Sequence, residues 1–266
     1  MKVGINGIGL WGPGLRSWSD FLSVRAGQAT LDLEDFAAPN PEAIPSRERR
    51  RAPLPVKLAV EVAQQACEIA KVDQSTIASV FTSAMGDTGI TDYLCRVLAG
   101  SNKMVSPTKF HNSVHNAASG YWSIAAQNRS SSGYVGSFEH SFPVTLLEAA
   151  ILCVAEECPV VLVANDVAHN APFTDIVRIE KTFACAVIID QAPTHGGWLL
   201  DIENHAGNVA WPRPGQAELA HFGELNPCAR ALALLDACAG NAASELRMPL
   251  NEYTHLQLAI SPSMLA

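Results

Sequence analysis

The chain has 266 residues, with 18 Lys and Arg against 26 Asp and Glu and a formal net charge of −8. Hydrophobic residues make up 48% and charged residues 17%, which excludes disorder, a state that needs low hydrophobicity and high net charge. The acidic balance excludes nucleic acid and an anionic membrane surface as main partners, because both require a basic face.

Residues 2–8 read as a short strand that breaks at a Gly-rich turn over 9–14, and 15–26 suit a helix. Five prolines and the run Arg47-Glu48-Arg49-Arg50-Arg51 make 35–55 a surface loop. That run reads first as a solvated face and second as a dock for an acidic partner. Apolar residues recur at helical spacing over 56–71, and 77–82 is a β-rich run. Residues 90–99 suit a helix, 100–115 a polar loop and 116–127 a further helix. Residues 133–136 suggest a brief strand. The apolar stretch 144–155 predicts a strong helix with Pro143 in its first turn, where proline is tolerated. Residues 159–164, 183–189, 197–202 and 255–260 read as strands, and 223–240 as a late helix. Strands alternate with helices through residue 166, which predicts a layered α/β fold.

No stretch reaches the ~18–20 uninterrupted apolar residues of a membrane span, and the N-terminus lacks the apolar core and cleavage site of a signal peptide. The seven cysteines form no CxxC pair and no zinc spacing with His. They read as buried free thiols of a reducing cytoplasm.

Three motifs suggest chemistry, and each has a plainer account. Gly7-Ile8-Gly9-Leu10-Trp11-Gly12 fits the GxGxxG of a dinucleotide-binding oxidoreductase. Trp11, however, sits where backbone must approach phosphate, and Asp32 and Asp35 lie in a turn rather than at a second strand end. Ser137-Phe138-Glu139-His140-Ser141 has elbow-like placement between strand and helix, but it is no GxSxG, and His140 is too near Ser141 to serve as its base. His111 and His115 have the i, i+4 spacing of a metal pair, yet follow Pro107 in a loop with no carboxylate nearby, so no metal site is expected. Trp198 and Trp211 read as packing anchors.

The series Ser106-Pro107, Asn116-Ala117-Ala118-Ser119-Gly120, Glu148-Ala149-Ala150 and Pro159 to Ala164 resembles the β-ketoacyl synthase family of the thiolase superfamily. Gly7-Ile8-Gly9 is similar to that family's first strand and turn, and Ser83-Ala84-Met85-Gly86-Asp87 to its small-residue loop. The resemblance implies a thiolase-like layered α/β fold. It covers one N-terminal half (1–195) and leaves a truncated C-terminal half (196–266). A half this short should leave apolar surface uncovered, for which a partner subunit is the natural cover.

Ungapped matching from Asn116 or from Glu148 puts Glu139 at the nucleophile-Cys position of those enzymes. The family uses its Cys at a helix N-terminus to carry an acyl thioester, and two C-terminal histidines to stabilise the enolate and oxyanion. Here Trp198 follows His195-Gly196-Gly197, no Gly-His pair occurs, and no catalytic residue is expected. Family members lacking the Cys are chain-length factors, and a half-length one is similar to the chain-length-factor-like subunit of aryl polyene clusters, a type II polyketide system. The resemblance therefore implies a subunit without activity alone, in a heterodimer or heterotetramer with an active ketosynthase. It also implies an acyl carrier protein bearing phosphopantetheine, with no cofactor on this chain. Phe110, His111, Ser113 and Val114 fall in the loop that the family places at the interface and substrate tunnel, with Phe110 and Val114 facing the tunnel. A second reading makes Glu139 the acid of a malonyl-carrier decarboxylase, protonated through burial.

Overall fold

A computed structural model describes residues 1–169, 172–240 and 242–263. In chain order the elements are β1 (Lys2–Trp11), α1 (Trp18–Arg25), α2 (Ser46–Arg49), α3 (Leu54–Ala70), β2 (Ala78–Thr82), α4 (Thr88–Ala99), α5 (Pro107–His111) and α6 (Ala117–Ala125). There follow β3 (Ser132–Val135), α7 (Ser141–Glu156), β4 (Val160–Asp166), β5 (Phe183–Asp190), β6 (Trp198–Ala206), α8 (Ala217–Glu224), α9 (Leu232–Cys238), β7 (Ser244–Pro249) and β8 (Thr254–Pro262). The strands form one eight-stranded sheet in the order β3-β2-β4-β5-β1-β6-β8-β7. β2 runs parallel to β3 and β4, and every other pairing is antiparallel.

Helices cover both faces. Val56, Val62 and Ala66 of α3 join Trp122 of α6 and Val161, Val163 and Ile188 of the sheet in one buried cluster. On the opposite face Phe142, Leu146 and Ala150 of α7 pack with Ile8, Leu162, Val187 and Leu232. Together with the turn before it, over Phe138–Glu156, α7 is long and apolar enough to pass for a membrane span, but it lies against β2, β4 and β5 as a core helix.

β1 is longer than the sequence predicts, continuing through Gly7 and Gly9 to Trp11 with a shift of register between Ile5 and Gly7. A Cβ on Gly7 would lie 2.2 Å from the Ala66 carbonyl oxygen, and one on Gly9 2.1 Å from that of Val62. The glycines let α3 lie directly on the strand. No strand-to-helix turn exists there to cradle a pyrophosphate, so the dinucleotide reading falls. Asp35 pairs with Arg16 at 3.0 Å instead of serving a ribose.

Other differences are local. α5 forms inside the segment expected to be loop, begun by Pro107 at its first turn. The late helix is two, α8 and α9, separated at Pro227 by a 3₁₀ turn over Cys228–Ala231. β7, with only two of its six residues buried, escaped the sequence reading. Five cysteines are buried free thiols as expected, Cys158 is half-buried, and Cys95 is exposed.

Position 195 falls in the turn between β5 and β6, yet both sides share one sheet and one core, since Leu200, Leu232 and Ile260 pack with Val3 and Val187. The outer face of β6, β8 and β7 carries Asp201, Glu203, Gln257 and Arg247 and is solvated. The uncovered apolar surface expected there lies elsewhere. Leu98, Met104, Phe110, Val114 and Ile124 are exposed between α4 and α6, and α6 flanks β3, the strand at one end of the sheet.

Candidate functional site

The parallel strands β2, β3 and β4 bring their C-terminal ends together, the place where open α/β sheets hold ligands. After β3 the chain turns through Gly136 and Ser137 into a 3₁₀ turn, Phe138–His140, that leads directly into α7. This is a strand-to-helix elbow, as the sequence reading expects, and its conformation is fixed by Ser141. The fully buried Ser141 hydroxyl donates to the Phe138 carbonyl at 2.7 Å and accepts from the Ser137 N–H at 3.0 Å. Ser141 is thus committed to the backbone and makes no bond to His140, which disposes of the Ser–His hydrolase reading.

Under the elbow lies a buried carboxyl. Oδ1 of Asp166, the last residue of β4, accepts from the Ser83 hydroxyl at 2.7 Å and from the Ala84 N–H at 2.8 Å. The Ser83 hydroxyl accepts in turn from the Gly86 N–H at 2.8 Å, so Asp166 organises the small-residue loop over 83–87. Complete burial pushes the Asp166 carboxyl above the usual range, against the hydrogen bonds that lower it. Burial and the neighbouring Asp166 push the Cys228 thiol well above its usual range, so it supplies no thiolate. Asn226 ties the second part of the chain to this place, donating to the backbone carbonyls of Lys181 at 2.8 Å and Asp166 at 3.2 Å.

Glu139 does not point into this buried network. Its carboxylate accepts from Arg230 Nη2 at 3.1 Å, with the Glu139 side chain 48% exposed and that of Arg230 18% exposed. The guanidinium lies over the Trp211 ring at 4.0 Å, and the His140 ring is 5.5 Å from the same indole. Burial, then Arg230, lowers the His140 pKa. The decarboxylase reading requires a buried Glu139, and the side chain is instead half-exposed beside a guanidinium. We expect Arg230→Ala to destabilise the fold by about 1–2 kcal/mol, through the lost indole stacking as well as the pair. Glu139→Gln, at a half-exposed and solvent-screened position, should cost no more than about 1 kcal/mol. Denaturant midpoints of the two variants check the order.

The four residues expected at the interface and tunnel cluster on and just after α5. His111 and Val114 line a cavity of about 720 Å³ together with Ile44, Arg51, Tyr121 and Ile124. Phe110, 66% exposed, and Ser113, whose hydroxyl donates to the Phe110 carbonyl at 2.8 Å, are not among its lining residues. His115 joins this segment to the elbow's strand, with its ring edge-on to Tyr134 at 5.5 Å and 3.3 Å from where a Gly86 Cβ would stand. Among the described residues no group of three or more His, Cys, Asp or Glu is placed to hold a metal ion. His195 is exposed in the β5–β6 turn. Sequence reasoning missed Asp166, although a charge ending a run of apolar strand residues is a usable signal. It missed Arg230 and Trp211 for want of any local pattern.

The profile of the β-ketoacyl synthase N-terminal domain matches residues 24–244. The chain belongs to the β-ketoacyl synthase N-terminal domain family. Its layered architecture is the thiolase-like fold of that family's solved members. A ketosynthase in complex with its chain length factor from Xenorhabdus doucetiae superposes with a TM-score of 0.73 at 20% identity, over 98% of this chain and 99% of that one. The ishigamide ketosynthase/chain length factor gives 0.72 at 13% identity, over 98% and 99%. A type II polyketide synthase acyl-carrier protein in complex with its hexaketide-bound ketosynthase gives 0.74 at 11%, over 98% and 99%. No curated protein matches.

Proposed function

We propose that this chain is a non-catalytic, chain-length-factor-like partner of a Cys-bearing ketosynthase, serving type II polyketide (aryl polyene) or fatty-acid-like chain elongation. The carrying observation is the elbow. Residues 136–141, Gly-Ser-Phe-Glu-His-Ser, hold no thiol, and the carboxylate among them is paired to Arg230. An acyl chain needs a nucleophile there to become a thioester. The family's solved complexes of ketosynthase with chain length factor, matched along nearly their whole length, support the same reading.

The exposed apolar residues between α4 and α6, next to the unpaired edge of β3, are the surface this reading gives to the ketosynthase. The cavity lined by His111 and Val114 is then the part of the product tunnel contributed by this chain, with Val114 limiting chain length from its wall and the exposed Phe110 from the surface beside it. Arg51 lines the same cavity, and Arg47 and Arg50 are exposed beside it. They suit an acidic acyl carrier protein, whereas Arg49 is spent on the Asn40 and Pro41 carbonyls.

The test is native mass together with condensation activity, for the chain alone and co-expressed with a neighbouring ketosynthase. A stoichiometric heteromer that condenses malonyl units only when both chains are present is expected, with longer products from Phe110→Ala or Val114→Ala. A lone oligomer that ignores the ketosynthase sinks the partner reading, and unchanged product length in both variants sinks the tunnel assignment.

A further inference from the structure

Among the described residues four non-glycine residues have positive φ: Lys71, Gln127, Phe138 and Glu157. Lys71 and Glu157 are the C-caps of α3 and α7, and Gln127 follows the C-cap of α6. A left-handed residue is ordinary at the end of a helix. Phe138, at φ 47°, has no such excuse, because it stands where a helix begins. A bulky residue in this region is a true outlier, which persists only when its surroundings over-determine it. Ser141, bonded to both Ser137 and Phe138, and the His140 N–H donating to the Ser137 carbonyl at 2.8 Å do so here.

A sharp, strained strand-to-helix turn exposes the side chain of the strained residue itself. That side chain is the Phe138 ring, 58% exposed and outside both apolar clusters. Glu139, one residue on, turns aside to Arg230. We propose that Phe138, and not Glu139, stands at the apex of the elbow, so that the chain presents a phenyl ring where such a turn would present its reacting atom. Glu139 is the positioning residue that fastens the elbow to Arg230 and Trp211. This concerns the chain by itself and stands or falls separately from the ketosynthase reading.

Phe138→Cys and Glu139→Cys, each made in the full chain, distinguish the two positions by their rates of alkylation with iodoacetamide across pH. Peptide mass separates the new site from the exposed natural thiol, Cys95. The thiol of Phe138→Cys is expected to alkylate with a midpoint about one pH unit or more below the ~8.5 of a free thiol, because it faces the amide end of α7. The thiol of Glu139→Cys, beside Arg230, owes any lowering to that guanidinium and is expected to return to the ordinary midpoint in the Glu139→Cys, Arg230→Ala double variant. An ordinary midpoint for Phe138→Cys, or a midpoint for Glu139→Cys that stays low once Arg230 is removed, overturns the proposal. Thermal melts give a second readout that needs no reactive thiol. Phe138→Gly relieves the positive φ and should melt at or above the parent temperature, while Glu139→Gly melts below it. Loss of stability in Phe138→Gly greater than in Glu139→Gly also overturns the assignment.

Discussion

Gly9→Ala is expected to destabilise the protein by about 3 kcal/mol or more, at the upper end of overpacking substitutions. The added methyl carbon would sit 2.1 Å from the Val62 carbonyl oxygen and 2.9 Å from the Gln65 Cβ. Backbone cannot swing away like the tip of a flexible side chain, so α3 must lift from β1. That movement also breaks the bond from the Leu10 N–H to Gln65 Oε1 at 3.2 Å and loosens the cluster around Val62 and Ala66. For a domain of this size the loss corresponds to a fall of roughly 6–12 °C in melting temperature. A midpoint in urea or heat within error of the parent would show that the strand and helix are not held this closely.

The second large effect is expected at Asp166. Asp166→Ala removes the acceptor of two buried donors, the Ser83 hydroxyl and the Ala84 N–H, at a cost of about 2–4 kcal/mol. Asp166→Asn keeps Oδ1 for those donors and abolishes the charge, so it isolates the effect of ionisation. Burial raises the carboxyl pKa in the folded chain above its value of ~3.9 in the unfolded one. Between the two values the native state holds a proton that the unfolded state has released. Stability contributed by this group is therefore full below about pH 4 and lost as pH rises through the folded value. Denaturant midpoints measured from pH 4 upward should decline in the parent through this window, relative to Asp166→Asn. Parallel curves for the two proteins would show that Asp166 ionises as freely in the fold as outside it.

The sequence discloses the fold where one physical cause acts locally. The periodic apolar positions of 56–71 gave α3 within two residues at its start, and the apolar run of 159–164 gave β4. The glycines of β1 carried a real signal whose cause was misassigned. They answer to a helix laid across the strand from some fifty residues away, and no local pattern separates that from a phosphate cradle. At the candidate site the turn after β3 was legible from its place between strand and helix. The positive φ of Phe138 was not, because phenylalanine is a residue that composition alone would never put there. Arg230 and Trp211 were equally hidden, since only the assembled fold carries them to Glu139.

The central position of β1 sets a timetable for biosynthesis. Its partners are β5 and β6, with Trp11 opposite Ala184 and Lys2 opposite Asp201. Translation at about 5–20 residues per second leaves the first strand waiting roughly 10–35 s for its neighbours to be made. Throughout that interval β1, whose Val3, Ile5, Ile8 and Leu10 are destined for the interior, lacks both neighbouring strands and has only helices such as α1, α3 and α7 to pack against. Pairings this distant along the chain also slow folding once synthesis is complete. The nascent chain is consequently a natural client for chaperones, and its yield in a recombinant host should depend on them more than the stability of the finished sheet would indicate.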